Sequence, residues 1–127
     1  MTITLSKVIH FSKFYNEVKA TRIPVKTAYK LNKLVLAIDE QNRFYGEQLN
    51  LILADCAEHD ENGNYIPTND SVGVKIIDRK QSEFVSRINE LLLLEVEVPD
   101  ISFDIDEFGN IELTMESFNI ITPFLKD

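Results

Sequence analysis

The sequence predicts an α+β fold in which a long central amphipathic helix packs with shorter helices and a small antiparallel β-hairpin or sheet. Three observations lead to this prediction. Apolar residues recur at intervals of three and four over residues 24–57, shorter stretches of the same period flank that segment, and brief polar–apolar alternations lie between them. The 127 residues and the hydrophobic fraction of 44% are sufficient for one core. We therefore expect a single domain over residues 1–127.

The first elements are predicted to be a short strand and a helix. Polar and apolar residues alternate over 2–5, which indicates a strand. A helix over 7–20 follows, with Ser6 as its expected N-cap. Its apolar residues share one face: Val8, Phe11, Tyr15 and Val18. Pro24 separates this helix from the next, because proline restricts the residue before it and favours a first helical position.

The long helix is predicted over 24–57. At about 1.5 Å per residue it is about 50 Å long, so other elements or a second copy must cover part of it. Its regularly spaced positions are Ala28, Leu31, Val35, Ile38, Asn42, Tyr45, Leu49, Ile52 and Cys56. We predict that the first six of these, from Ala28 to Tyr45, form a homo-oligomer interface. Asn42 either fixes the register of that oligomer or lies where the helix emerges into water.

The second half of the chain is predicted to alternate between extended and helical segments. A hairpin is expected over 64–77, a helix over 79–93, strands over 95–98 and 101–105, and a C-terminal helix over 114–121. Asp78 and Gln81 have the spacing of a capping box, and Thr114 is a suitable N-cap for the last helix.

Charge is distributed unevenly along the chain, whose net charge is −8. The first 33 residues contain seven Lys or Arg and a single acid, Glu17, whereas residues 95–127 contain nine acids and a single base, Lys126. We therefore expect the basic first quarter to face the acidic tail, either within one chain or in a second copy.

Four basic residues near the start of the long helix form a basic stripe, with spacings of four, four and three: Arg22, Lys26, Lys30 and Lys33. Such a stripe could follow a phosphate backbone. The overall negative charge, the lack of interleaved aromatic residues on that face and the lack of a helix-turn-helix pattern argue against nucleic acid as a partner. A solvated or intersubunit face is the favoured interpretation.

The segment 60–64 begins like a calcium-binding loop, but the residues that follow it do not complete one. Its residues supply the first three ligand positions, but the sixth position is Tyr65 where glycine is needed, and the twelfth is Ser71 where glutamate is needed. We interpret the segment as a solvated turn rich in aspartate and asparagine.

Other chemical signatures are also missing from the sequence. Cys56 and His59 lie one helical turn apart, but two ligands are too few for zinc, and the apolar register of Cys56 favours a buried core cysteine over a reactive thiol. The four glycines are isolated, so they do not form a phosphate-binding loop. We expect a non-enzymatic protein with no catalytic residues, no metal and no cofactor. Apolar runs are too short for a membrane span, so we expect no membrane partner.

Four segments resemble parts of small proteins of uncharacterised function that tailed phages and prophages encode. They are residues 22–34, which read RIPVKTAYKLNKL, the acidic turn 60–64, and the closing segments 111–114 and 123–125. The pattern covers nearly the whole chain, with Ile23 in place of the usual leucine. The resemblance implies a viral or prophage origin, with the protein in the host cytoplasm or the virion, and it implies no activity.

The function expected from these observations is that of a non-enzymatic phage accessory protein. It would act by protein–protein contact, as a homo-oligomer with an assembly or structural role, and could also bind a phage or host protein. Two alternatives remain. One is a small acidic inhibitor of a host enzyme or defence component, and the other is a nucleic-acid-associated protein that uses the basic stripe over residues 22–33.

Overall fold

The computed structural model describes residues 1–109 and 111–126. Within them it contains four α-helices and one two-stranded antiparallel sheet. The helices are α1 Leu5–Val18, α2 Val25–Cys56, α3 Gln81–Leu93 and α4 Met115–Ile121, and the strands are β1 Thr2–Thr4 and β2 Glu95–Glu97. Short 3₁₀ turns cover Asp78–Lys80, Ile105–Phe108 and Thr122–Phe124. The α+β prediction, with a long helix packed against shorter ones, is confirmed.

The chain divides into two compact units. The first combines Met1–Arg43 with Leu94–Asp127, and the second is Phe44–Leu93. Helix α2 runs through both of them. That the whole chain folds as one domain stays a prediction.

The sheet of the first unit joins the start of the chain to a segment more than ninety residues later. Thr2 lies opposite Glu97 and Thr4 opposite Glu95, so β1 and β2 are antiparallel. Both strands were expected from the alternation of polar and apolar residues. Their pairing was not, because it depends on contacts that a local pattern does not contain.

Helix α1 follows β1 without a connecting loop. Thr4 ends the strand and caps the helix, its hydroxyl accepting from the backbone N–H of Lys7 at 3.4 Å. The expected cap, Ser6, is therefore wrong, and the helix covers 5–18 rather than 7–20. Its buried face consists of Leu5, Val8, Phe11, Phe14 and Val18.

Five buried phenylalanines form the core of the first unit. Ring centroids are 5.5 Å apart for Phe11 and Phe14, 6.0 Å for Phe11 and Phe124, 5.8 Å for Phe14 and Phe108, and 5.2 Å for Phe103 and Phe108. Edge-to-face and tilted aromatic pairs at such distances are favourable beyond the area that they bury. The cluster therefore fastens the C-terminal segment onto α1.

The first half of α2 buries a face that is rotated from the expected one. Thr27, Leu31, Leu34 and Ile38 are buried, whereas Ala28 is exposed and Val35 is half-buried. The two series share every other member, and both have helical spacing. The periodicity therefore predicted the helix correctly. The middle of its buried face, however, lies about one residue before the position that the periodicity indicated.

The second unit replaces the expected hairpin over 64–77 with three paired segments. The backbone N–H of Glu58 donates to the carbonyl of Lys75 at 2.9 Å, Lys75 donates to Ile66 at 2.8 Å, and Ile66 donates to Glu58 at 3.2 Å. These three bonds form a closed ring among the three segments. Where the described segments pair, they do so through isolated bridges and not through a continuous β-ladder. The hairpin arms do meet, at Pro67 and Val74. Residues 57–59, which the sequence did not mark as extended, pair with both arms.

The expected strand over 101–105 is wrong. Phe103 makes a single parallel bridge to Leu125, and a 3₁₀ turn begins at Ile105. The backbone N–H of Glu107 donates to the carbonyl of Asp104 at 2.9 Å, and the Glu107 side chain accepts from the backbone N–H of Asp104 at 2.6 Å, in the arrangement of a capping box. This capping box ends the extended segment, because it satisfies backbone donors that a strand would direct sideways.

Matched truncations on α2 test this burial pattern. Leu34 is 0% exposed and Leu36 is 63% exposed. We expect Leu34→Ala to lower the free energy of unfolding by about 2 to 5 kcal/mol. Leu36→Ala should change it by less than about 0.5 kcal/mol. Urea denaturation followed by circular dichroism measures both values. Equal losses of unfolding free energy in the two variants would contradict the burial of Leu34 and the exposure of Leu36.

Candidate functional site

The candidate interface predicted from the sequence is only partly available for contact. Leu31 and Ile38 are buried within the chain itself, so a second copy could not reach them without unfolding it. Val35, Asn42 and Tyr45 are half-buried, and Ala28 is exposed. The prediction that these six residues form a homo-oligomer interface is therefore corrected at Leu31 and Ile38, which the first unit uses for its own core.

The basic stripe is not a continuous free surface either. Lys30 donates to Glu107 at 2.9 Å and to the carbonyl oxygen of Ser102 at 3.1 Å, and its ammonium lies 5.6 Å from the Phe103 ring centroid. Both partners of this ion pair are half-buried. The hydrogen bond from Lys30 holds the pKa of Glu107 below its ordinary value. Arg22, Lys26 and Lys33 remain exposed.

A second polar contact fastens the start of α4 to α1. Glu17 accepts hydrogen bonds from the hydroxyls of Ser117 at 2.7 Å and Thr114 at 2.8 Å, and from the Thr114 backbone N–H at 3.2 Å. These bonds, with that from Ser117 the strongest cause, lower the pKa of Glu17. Lys13 also pairs with Glu116 at 2.7 Å. Pairing of the basic first quarter with the acidic tail is therefore confirmed within one chain.

A depression in the first unit that is lined chiefly by apolar side chains is what we call the C-terminal groove. It encloses 360 Å³ and is walled chiefly by Ile105, Phe108, Ile111, Leu113, Met115 and Phe118. The side chains of Ile105 and Met115 are 62% and 74% exposed. Exposed apolar residues that adjoin one another in a concave surface are typical of binding sites.

Two exposed acids are neighbours in the chain of residues that line this groove. Asp106 follows Ile105, and Glu112 lies between Ile111 and Leu113. Glu112 also lines a second pocket with Thr21 and Arg22.

The capping box at Asp104 positions the outer wall of the groove. Because the chain turns there instead of continuing as a strand, Ile105 is left exposed at the groove rather than covered on a sheet. Glu107 serves both this turn and the ion pair to Lys30. Sequence reasoning missed the groove, although the spacing Asp104-x-x-Glu107 was a usable signal for a helical start.

Side chains with potential for metal or redox chemistry are occupied by structural contacts. Cys56 is buried and its thiol donates to Glu83 at 3.3 Å; burial, followed by the contact with Glu83, raises the pKa of the thiol. The His59 ring stacks near Tyr65, with centroids 4.8 Å apart. Among residues 1–109 and 111–126, no three His, Cys, Asp or Glu side chains are grouped as metal ligands would be.

The acidic turn that began like a calcium loop is held by its own side chain. Asp60 accepts from the backbone N–H groups of Asn62 and Asn64, both at 2.9 Å. Gly63 has a φ of 80°, which glycine adopts without strain. The interpretation as an aspartate- and asparagine-rich turn is confirmed.

Comparisons of the chain with family models, curated proteins and solved structures produced no match. In the described part of the chain, no helix has the length and apolar character needed to cross a membrane. The function must therefore be inferred from the surface of the protein itself.

Acid should weaken the contact between α1 and α4. A carboxyl whose pKa is lowered by folding stabilises the protein above its ordinary pKa of 4.5, and that contribution is lost as the pH falls through the lowered value. We expect Glu17→Gln to lower the urea midpoint near neutral pH and the difference from the unmodified protein to shrink at about pH 3. Glu40→Gln, at an exposed position of α2, is the control. A difference that is constant with pH would contradict this role.

Nucleic acid should not bind to the basic stripe. Lys30 is held by Glu107, and the remaining stripe residues lie on a chain of net charge −8. We expect no measurable complex with DNA or RNA at about 0.15 M salt in a fluorescence anisotropy titration. A micromolar complex that is lost in Lys26→Ala/Lys33→Ala would contradict this expectation.

Proposed function

We propose that this protein is a non-enzymatic accessory protein of a tailed phage or prophage. It acts by protein–protein contact, as a homo-oligomer with an assembly or structural role. The observation that carries this proposal is the C-terminal groove, where Ile105, Met115 and Phe118 leave apolar surface open to water.

An apolar groove of this kind is costly to leave uncovered. Apolar surface in water is unfavourable by about 25 cal/mol per Å², so a partner that covers it gains free energy on binding. The groove belongs to the same first unit that the phenylalanine cluster and the Lys30–Glu107 pair hold together. A preformed surface of this type loses little conformational entropy on binding, which supports a role as a docking site.

The environments of the titratable side chains support a function by protein–protein contact rather than by catalysis. The carboxylates with lowered pKa in the first unit, Glu17 and Glu107, hold the fold together through hydrogen bonds and an ion pair. The shifted thiol of Cys56 is buried. The phage or prophage assignment rests on the resemblance of residues 22–34, 60–64 and the closing segments to such proteins.

The acidic inhibitor is the second candidate. It is supported by the exposed carboxylates of Asp106 and Glu112 beside the groove, since a negative surface can occlude a basic cleft or imitate phosphates. A pull-down from host lysate separates the two functions. A stoichiometric host enzyme would favour the inhibitor, and a phage structural protein would favour assembly.

Self-association is the direct test of the leading proposal. Light scattering coupled to size-exclusion chromatography should give a mass that is a whole multiple of 14.6 kDa, and that mass should fall on dilution if the oligomer is reversible. A mass of 14.6 kDa at every concentration up to the near-millimolar range would contradict a homo-oligomer.

A further inference from the structure

We propose that the C-terminal groove receives the start of α2 from a second copy of this chain, and that the exchange is reciprocal. Two copies then close a symmetric dimer. The incoming surface, which we call the α2 start face, consists of Val25, Lys26, Tyr29 and Lys33. This inference rests on the self-association proposed above and names the surfaces that produce it.

The α2 start face has the chemistry of a segment that docks in a groove. Val25 and Tyr29 are one helical turn apart, so their side chains are neighbours on the helix surface. They are 86% and 61% exposed, although both are large and apolar. Amphipathic helices dock into apolar grooves through anchors at this spacing. Lys26 and Lys33 add positive charge beside the anchors, and the Lys33 ammonium lies 4.8 Å from the Tyr29 ring centroid.

The C-terminal groove offers the complementary chemistry. Its walls are apolar, and the exposed acids Asp106 and Glu112 are chain neighbours of the wall residues Ile105, Ile111 and Leu113. Glu107 and Glu116 are already paired within the chain, with Lys30 and Lys13. Among the residues that the structure describes, Asp106, Glu112, Lys26 and Lys33 form no ion pair, so the two acids can pair with lysines of a second copy. Such complementarity fixes the orientation of docking and speeds association.

A second copy, rather than the same chain, must supply the occupant. The high exposure of Val25 and Tyr29 shows that their own chain leaves these side chains uncovered. Lys30, on the same first turns of α2, is held in place by Glu107. The start of α2 is therefore fixed and cannot swing into its own groove.

The relative position of the two surfaces favours a closed pair. Thr21 and Arg22, just before α2, share a shallow pocket with Ile111 and Glu112 at the groove margin. The two complementary surfaces thus begin next to each other in the first unit. A two-fold axis between them would place each on its counterpart, which is the self-complementary arrangement of a symmetric dimer.

Charge reversal tests the proposed pairing. Lys26→Glu/Lys33→Glu should place acids against an acidic groove, and Asp106→Lys/Glu112→Lys should place lysines against a basic helix start. Each variant alone should dissociate at least about tenfold more readily than the unmodified dimer, because like charges then face each other. An equimolar mixture of the two variants should recover a dimer, because both contacts in the mixed pair have opposite charges. Sedimentation velocity on the full-length protein measures each state.

Matched controls separate the interface from general effects of charge. Lys7→Glu/Arg79→Glu makes the same charge change at exposed positions elsewhere and should leave the dimer intact. Met115→Glu inserts a charge into the groove at the first turn of α4, where an acid suits the helix, and should weaken the dimer. Val72→Glu makes a comparable change at a residue that is 87% exposed in the second unit, and should not. Circular dichroism confirms that each variant is folded.

The possible outcomes decide between the proposals. If the unmodified protein self-associates but every variant does so equally, the docking of α2 into the groove is wrong while the proposed homo-oligomer stands. If the two charge-reversed variants do not recover a dimer on mixing, the pairing is wrong. Species that keep growing with concentration would overturn the reciprocal arrangement, since an unreciprocated contact builds open chains. A protein that stays a monomer overturns both proposals.

Discussion

The phenylalanine cluster is the interaction on which the first unit depends. Phe11 and Phe14 come from α1, whereas Phe103, Phe108 and Phe124 come from a segment about ninety residues later. A helix of 14 residues such as α1 is marginal in isolation, so most of its stability must come from the surface that covers it. The stability of α1 therefore depends on residues that lie far away in the chain, and contacts of such long range slow folding because they require a large loop to close.

Polar contacts around the cluster determine how the ends meet. Glu107 accepts from the Asp104 backbone and pairs with Lys30, so one carboxylate fixes both a local turn and a tertiary contact. Glu17 fastens the start of α4 to α1 through its hydrogen bonds with Thr114 and Ser117. These contacts also shape the surface, because the turn that they stabilise leaves Ile105 exposed beside Met115. The C-terminal groove therefore results from the contacts that hold the C-terminal segment against the rest of the first unit.

The second unit shows how short extended segments can satisfy their backbone groups without a regular sheet. Glu58, Ile66 and Lys75 each donate one backbone hydrogen bond and accept another, in a closed ring. Backbone N–H and C=O groups are costly to leave unpaired away from water, and the ring gives each of these three residues a donor and an acceptor partner. The turn at Asp60–Asn64 and the buried Cys56 lie at the end of α2 where this arrangement begins.

The sequence by itself determined the local elements: the 3.6-residue period of α1 to α4, the cap at Thr114, and the turn built on Asp60. Each of these elements depends on residues that lie within one or two helical turns of one another in the sequence, so a short stretch of sequence is enough to predict it. Only the tertiary structure decided that Leu34 rather than Val35 faces the core, that residues 57–59 join the hairpin arms, and that the chain turns at Ile105. It also decided that Lys30 is held by Glu107 while Lys26 is exposed. These outcomes depend on which distant segment covers each surface, and periodicity along the chain does not encode that partner.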